Sequence, residues 1–253
     1  MSTTTATAYS AGAAAWADGP MRVYGPLAAE LVARCPIDLR GRTVLDHGAG
    51  TGAVSSAASE AQVVAVDNAI GMLLDRRASR PPAAIGDALA LPFRSGAFAG
   101  AIAAFALNHL VDASAGVREI ARVAREYVLV STFAADDYHP VKRAVDGALI
   151  EAGWSSPVWY RESVAWMRRW GSVDGATATV ELGGLVPERV EHARVPFPEL
   201  DPRDLVRWRL GMAQCATFVS SHDERAIEAR ALELLGDAEP LVRSVIFITA
   251  RVR

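Results

Sequence analysis

Val44-Leu45-Asp46-His47-Gly48-Ala49-Gly50-Thr51-Gly52 is an apolar run that meets an acid and then three alternating glycines. The apolar part reads as a short strand buried on both faces. Gly48, Gly50 and Gly52 allow a turn with dihedrals that other residues avoid, and they let the backbone approach a ligand with no Cβ in the way. The continuation Ala53-Val54-Ser55 lacks the Gly-Lys-Ser/Thr of a triphosphate loop, and the G-x-G-x-G spacing lacks the second gap of G-x-G-x-x-G. A strand-to-helix turn made for contact, with something other than a triphosphate, is the first expectation.

Downstream, Val63-Val64-Ala65-Val66 forms a second apolar run and delivers Asp67 at its end. A carboxylate there accepts hydrogen bonds from both vicinal hydroxyls of a ribose; its competing role is to cap the helix that follows. A third run ends in Gly86-Asp87-Ala88 and is followed by Leu91-Pro92-Phe93. Asp87 suits an exocyclic adenine amine, and Ala88 and Met72 suit the faces of the ring. Taken in order, these positions bracket an adenosine.

These motifs, with Phe105-Ala106-Leu107-Asn108-His109-Leu110, resemble the class I S-adenosylmethionine-dependent methyltransferase family over residues 40–135. The resemblance implies an α/β fold: a Rossmann-like seven-stranded, mostly parallel sheet in the order 3-2-1-4-5-7-6, the last strand antiparallel, with helices on both faces and a helical cap. It also implies that Asp46 and the turn Gly48, Ala49, Gly50, Thr51 and Gly52 hold the methionine part of the cofactor. Asp67 would hold the ribose, and Asn68 would be a further cofactor contact. Gly86, Asp87, Ala88 and Met72 would frame the adenine, with Phe105 and Ala106 beside the cofactor at the end of the fourth strand. S-adenosyl-L-methionine is the implied cofactor, and Gly86-Asp87-Ala88 favours it over a nicotinamide dinucleotide. Two departures from the family pattern are Ala97-Phe98 in place of Phe-Asp, and an Ala124-Arg125-Glu126 turn in place of a Pro-Gly-Gly type.

Strands are expected near 43–47, 62–67, 83–86, 99–105, 127–133, 188–195 and 244–251. Residues 1–40 read as a helical lead-in broken at Gly19-Pro20 and Gly25-Pro26, 41–135 as the cofactor core, and 136–183 as a helical insertion over the strand ends. In that insertion Pro140 to Ala152 and Pro157 to Trp170 are two helices; 184–253 completes a single domain.

The whole chain of 253 residues is 51% hydrophobic and 22% charged, enough for a substantial core, and its formal charge of −3 comes without a basic cluster to follow a phosphate backbone. No nucleic acid and no membrane partner is expected. Cys35 and Cys215 lie far apart with no metal-ligand spacing, and the start lacks a secretory pattern, so a reduced cytoplasmic setting is the expectation.

Five of the six tryptophans follow the fifth strand, which fits either packing of added helices or an aromatic-lined cavity for a small-molecule acceptor, as in specialised metabolism. Tyr9, Trp16 and Tyr24 in the lead-in, with Trp159, Tyr160 and Arg161 in the insertion, are candidate lid and acceptor contacts. His109 is the leading candidate base and His139 the second, each set against a structural, capping role. The Asp136/Asp137/His139 cluster reads as capping or lid contact, with no metal expected. A non-methylating, cyclase-like enzyme that binds the same cofactor, or a cofactor-sensing module, are the competing functional readings.

Overall fold

The computed structural model describes residues 3–75 and 77–253. Its strands are β1 (Thr43–His47), β2 (Gln62–Asp67), β3 (Ala83–Ile85), β4 (Phe98–Ala104), β5 (Ala124–Phe133), β6 (Val186–Phe197) and β7 (Leu241–Arg251). They form one sheet in the order β3-β2-β1-β4-β5-β7-β6, parallel from β3 to β5, with β7 antiparallel to both of its neighbours. Both the order implied by the family resemblance and the expected strand positions agree with this sheet.

The helices among the described residues are α1 (Thr3–Ala11), α2 (Ala13–Asp18), α3 (Met21–Val32), α4 (Ala53–Ala57), α5 (Ile70–Leu74) and α6 (Ala113–Val123) before β5. After it come α7 (Pro140–Glu151), α8 (Val158–Met167), α9 (Val173–Leu182), α10 (Pro202–Leu210), α11 (Ala213–Val219) and α12 (Glu224–Leu235).

Alternation along the strands sorts the core into two layers. Val44, Ile102, Leu129, Val245 and Phe247 face a layer built from α3, α7, α10 and α12. Their neighbours Leu45, Ala101, Val128, Val130, Ile246 and Ile248 face α6 and α9. Burial on both faces is why these strands read as nearly continuous apolar runs, whereas β6, at the sheet edge, alternates and tolerates Pro187 and Pro196.

Three local expectations need correction. Gly25-Pro26 starts no new helix: Pro26 lies inside α3, whose buried stripe Val23, Leu27, Ala28 and Leu31 holds it on the sheet despite one missing backbone donor. Ala124-Arg125-Glu126 is not a turn, because α6 ends at Val123 and the chain enters β5 directly at Ala124. The segment 136–183 is only partly a cap. The face Val141, Ala144, Val145, Ala148 and Leu149 puts α7 in one core layer, and Ala176 and Val180 put α9 in the other. The helix left over the strand ends is α8, which buries Ser163 and leaves most of its length half-buried or exposed. It is joined there by α1 and α2, where Ala13 and Trp16 pack with Ala69, Met72 and Met212.

The contact between α6 and α9 depends on Gly183, just past the end of α9, where a Cβ would lie 2.2 Å from Val117 Cγ1 and 2.5 Å from Val117 Cβ. Gly183→Ala is expected to lower unfolding stability by about 1–3 kcal/mol through overpacking. A urea titration followed by circular dichroism measures it.

Candidate active site

Gly48, Gly50 and Gly52 have φ of +68°, +52° and +101°, the left-handed region that other residues occupy only at a cost. A Cβ on Gly48 would sit 2.3 Å from Ala106 Cβ, so the β1 turn and the end of β4 close on each other. The turn is tied to β2 by Gly48 N and Ala49 N, which donate to Val66 O at 2.9 and 3.0 Å. Arg80 donates to Met72 O at 2.7 Å and to Gly50 O at 3.0 Å, clamping the turn from outside.

Asp67 accepts Gly50 N at 2.9 Å on one carboxylate oxygen and Ala69 N at 2.8 Å on the other. Each oxygen keeps acceptor capacity, so a diol can be bound bidentately. Burial raises its carboxyl above the ordinary value, and the backbone donors oppose that.

Asp46, expected to hold the methionine part, turns instead to α4. Its Oδ2 accepts Ser55 N at 3.0 Å and Ser55 Oγ at 2.6 Å, and burial pushes its carboxyl up to about 6. It fixes the helix that follows the turn and does not line the cavity. Gly52 likewise shapes the turn without lining the cavity. Asp87 accepts Leu89 N at 3.1 Å within its own turn, while its neighbours Gly86 and Ala88 line the site. The other expected cofactor residues, from Gly48 to Thr51, Asp67, Asn68, Met72, Phe105 and Ala106, all line one cavity of about 270 Å³.

Phe105 has φ +56°, a conformation unusual for a bulky residue, and is buried with its ring stacked on Phe133 at 4.4 Å. Tyr24 meets the edge of Phe105 at 5.4 Å and Trp16 at 4.9 Å, and Trp16 meets Tyr9 at 5.2 Å. The lead-in helices thus reach the strand ends as a chain of rings, and Tyr9, Trp16 and Tyr24 line the cavity. So does Tyr160; Trp159 packs beside it and Tyr9 without lining the cavity. Arg161 is exposed and donates to Ser156 O, away from the cavity. The late tryptophans divide between both expected roles: Trp154 and Trp170 are core, while Trp208 lines the cavity.

The histidines separate too. His109 lines the cavity with Nε2 3.1 Å from Tyr9 Oη and Nδ1 buried without a partner among the described residues. Burial lowers its pKa to about 4, so it is neutral at physiological pH, and burial also keeps the Tyr9 hydroxyl protonated. His139 caps α7: Nδ1 accepts Val141 N at 3.2 Å and Nε2 donates to Glu239 O at 2.9 Å, which leaves no ring nitrogen for base chemistry. Asp136 accepts from Ser244 Oγ at 2.7 Å and Asp137 pairs with Arg243 at 3.0 Å, so these acids tie the segment after β5 to β7, and Asp137 also lines the cavity. Among the described residues no cluster of three metal-ligating side chains occurs, and no helix is long and apolar enough to cross a membrane.

Sequence reasoning missed His47, Asn108, Lys142, Arg168, Arg209 and Arg243, all on the cavity wall. A signal existed for two of them. Arg209 lies on the buried face of α10 beside Leu205 and Val206, and Arg243 lies inside the apolar run of β7. A charge in an apolar stripe marks a built ion pair or a site.

Residues 45–129 match the family model of a methyltransferase domain. Demethylmenaquinone methyltransferases of Mycolicibacterium gilvum and Corynebacterium kroppenstedtii are 46% identical over 84 residues and 41% over 87, about a third of this chain. The matches span 37% and 38% of those relatives' own length. A chain of Anabaena variabilis assigned as a methyltransferase of an antibiotic biosynthesis pathway superposes with TM-score 0.59 at 18% identity, covering 88% of this chain and 96% of that one. Phosphoethanolamine N-methyltransferase 2 of Haemonchus contortus, solved with S-adenosyl-L-methionine, superposes at 0.55 and 18% identity over 89% of this chain and 52% of its own. The glycine cradle and the spare acceptor capacity of Asp67 fit that cofactor. Gly48→Ala, which drives a Cβ into Ala106, is expected to weaken adenosylhomocysteine binding at least about tenfold by calorimetry, while the circular dichroism spectrum is kept. The sheet order and the glycine turn facing a second-strand acid give the chain a methyltransferase-like fold, and over residues 45–129 it is similar to a methyltransferase domain.

Proposed function

We propose that the chain transfers a methyl group from S-adenosylmethionine to a small, ring-bearing acceptor. The observation that carries this reading is the continuous cavity that begins at Asp67 and the glycine turn and extends, past Phe105, into a chamber walled by Tyr24, Phe133, Tyr160 and Trp208. The curated relatives are named for demethylmenaquinone, and this supports a ring as the acceptor.

When bound, the cofactor supplies a methyl group made electrophilic by a sulfonium. The protein's part is binding, alignment and exclusion of water. Asp67 receives the ribose hydroxyls, and the turn from Gly48 to Thr51 gives backbone contact where side chains would obstruct. The rings of Tyr9, Trp16 and Tyr24 close the site from above. His109, held by Tyr9, is an uncharged imidazole; in the tautomer that donates Nε2–H to the Tyr9 oxygen, its Nδ1 is free to accept a hydrogen bond or a proton. The buried pair of Thr132 Oγ1 and Asn108 Oδ1, at 2.8 Å, fixes the loop that carries His109.

Purified protein incubated with methyl-labelled cofactor and a panel of phenols, hydroxyquinones and amines is expected to yield labelled product. Conversion of an acceptor with no transferred label would favour a non-methylating activity, and no conversion of any acceptor would overturn the proposal. Calorimetry is expected to show adenosylhomocysteine binding and no NAD binding. Asp67→Ala should weaken the former about 10- to 100-fold, as the loss of hydrogen bonds to a charged group predicts. Because the folded pKa of His109 lies near 4, below its ordinary 6.5, the imidazole takes up no proton between pH 8 and 6. A base role therefore predicts a kcat that is flat over that range in the wild type and lowered by His109→Asn, measured as a pH–rate profile.

A further inference from the structure

The charges on the cavity wall are unevenly divided. At the cofactor end stands Asp67, occupied by Gly50 N and Ala69 N. At the other end are Arg209, Arg243, Lys142 and Arg168, with Asp137 as the acid on the same wall. Arg243 and Arg209 are 6% and 3% exposed, and each spends two nitrogens on one carboxylate. Arg243 does so through Nε and Nη2 on Asp137, and Arg209 through the same atoms on Asp146, with its Nε at 3.0 Å.

Those two acids neutralise the two guanidinium groups, and Lys142 and Arg168 have no carboxylate partner among the described residues. The chamber therefore carries an excess of positive charge. It also carries spare donors. Arg243 Nη1 has no protein acceptor among the described residues, and Arg209 Nη1 gives one of its two N–H groups to Tyr160 Oη at 3.2 Å. The indole N–H of Trp208, a residue 6% exposed, is buried with no partner among the described residues. Buried donors are normally satisfied, so one orphaned indole N–H beside guanidinium groups with N–H capacity to spare suits an acceptor-rich ligand.

The surroundings give that ligand its shape. The Arg243 guanidinium lies between two rings, 4.1 Å from the centroid of Phe133 and 4.8 Å from that of Trp208. Lys142 Nζ is 5.9 Å from the ring centroid of Tyr160. This is a flat-walled cation site, with donors presented at the edge of aromatic surfaces.

Sheet order separates it from the cofactor's amino-acid end. The glycine turn follows β1, and Arg243 is on β7, three strands across by way of β4 and β5, roughly 14 Å at the usual strand spacing. We infer that the methyl acceptor is a ring-bearing organic acid whose carboxylate is held by the free Nη1 groups of Arg243 and Arg209 and the Trp208 indole N–H, with Lys142 and Arg168 drawing it in. This rests on the reading of the cavity as a methyl-transfer site, and it names the acceptor's class.

The test uses matched pairs, benzoate against benzamide and 2-naphthoate against 2-naphthamide, titrated by tryptophan fluorescence with and without adenosylhomocysteine. At least one acid is expected to bind tenfold or more tighter than its amide, and the preference should shrink with added salt. Arg243→Lys, which keeps the charge and removes the fork, should cut the acid's affinity about tenfold while leaving amide and adenosylhomocysteine affinity within twofold. Because Arg243 is buried, the exposed double variant Lys142→Gln with Arg168→Gln provides a second arm that leaves the core intact, with the same direction expected. Equal affinity of acid and amide in both pairs would overturn the inference. So would a parallel loss of adenosylhomocysteine affinity in Arg243→Lys, since the guanidinium would then serve the cofactor's own carboxylate. A wild type that prefers the acids yet binds no adenosylhomocysteine would leave the anion site standing and remove the cofactor reading.

Discussion

One carboxylate joins the parts that make this a site. Asp67, at the end of β2, holds Gly50 N of the β1 turn on one oxygen and Ala69 N, at the entry to α5, on the other. A turn with three positive-φ glycines is conformationally expensive to order, and the Asp67 carboxylate and the Arg80 clamp together select one arrangement from the many that glycine permits. The same carboxylate is thereby already desolvated and oriented, so a ligand that hydrogen-bonds to it would meet a preorganised acceptor. Asp46 does a similar service from below by fixing Ser55 and hence the start of α4.

The fold and the cofactor half were largely legible because their signals are local. Short apolar runs ended by acids and glycines marked the strand positions, and residues 46–109 hold nearly all of the cofactor wall in one stretch of chain. Individual roles were harder to read. Asp46 and Asp87 are acids at strand ends just as Asp67 is, yet their carboxylates turn to Ser55 and Leu89, a choice made by side-chain rotamer and neighbouring donors that spacing does not encode. His139 follows two acids and precedes a proline, and only the Glu239 carbonyl, which is 100 residues away, reveals that both of its nitrogens are spent.

The end of the cavity away from the glycine turn was nearly invisible for a different reason. Its wall is assembled from α1 to α3, the end of β5, α7, α8, α10 and the start of β7, so no window of sequence contains it. Arg209 and Arg243 sit in apolar stripes where a charge is anomalous, but their acids, Asp146 and Asp137, lie 63 and 106 residues away. The two ends of the cavity also offer different physical means of binding, with backbone and one acid at the glycine turn and buried cations between rings at the other. The first suits a ligand that stays the same across a family, and the second can be rebuilt without disturbing the first. The matched third of the chain and the unmatched remainder fit that division.

The position of β7 carries a consequence for assembly. It lies between β5 and β6 although it is the last strand in the chain, so β6 has no place on the sheet until β7 has been laid down. Pairings between near neighbours such as β1 with β2 and β4 with β5 close short loops at small entropic cost, whereas β7 returns to β5 across more than a hundred residues. Arg243 rides on that strand. The glycine turn and Asp67 lie wholly within the parallel part of the sheet, whereas the far wall of the cavity is complete only when β7 is seated between β5 and β6.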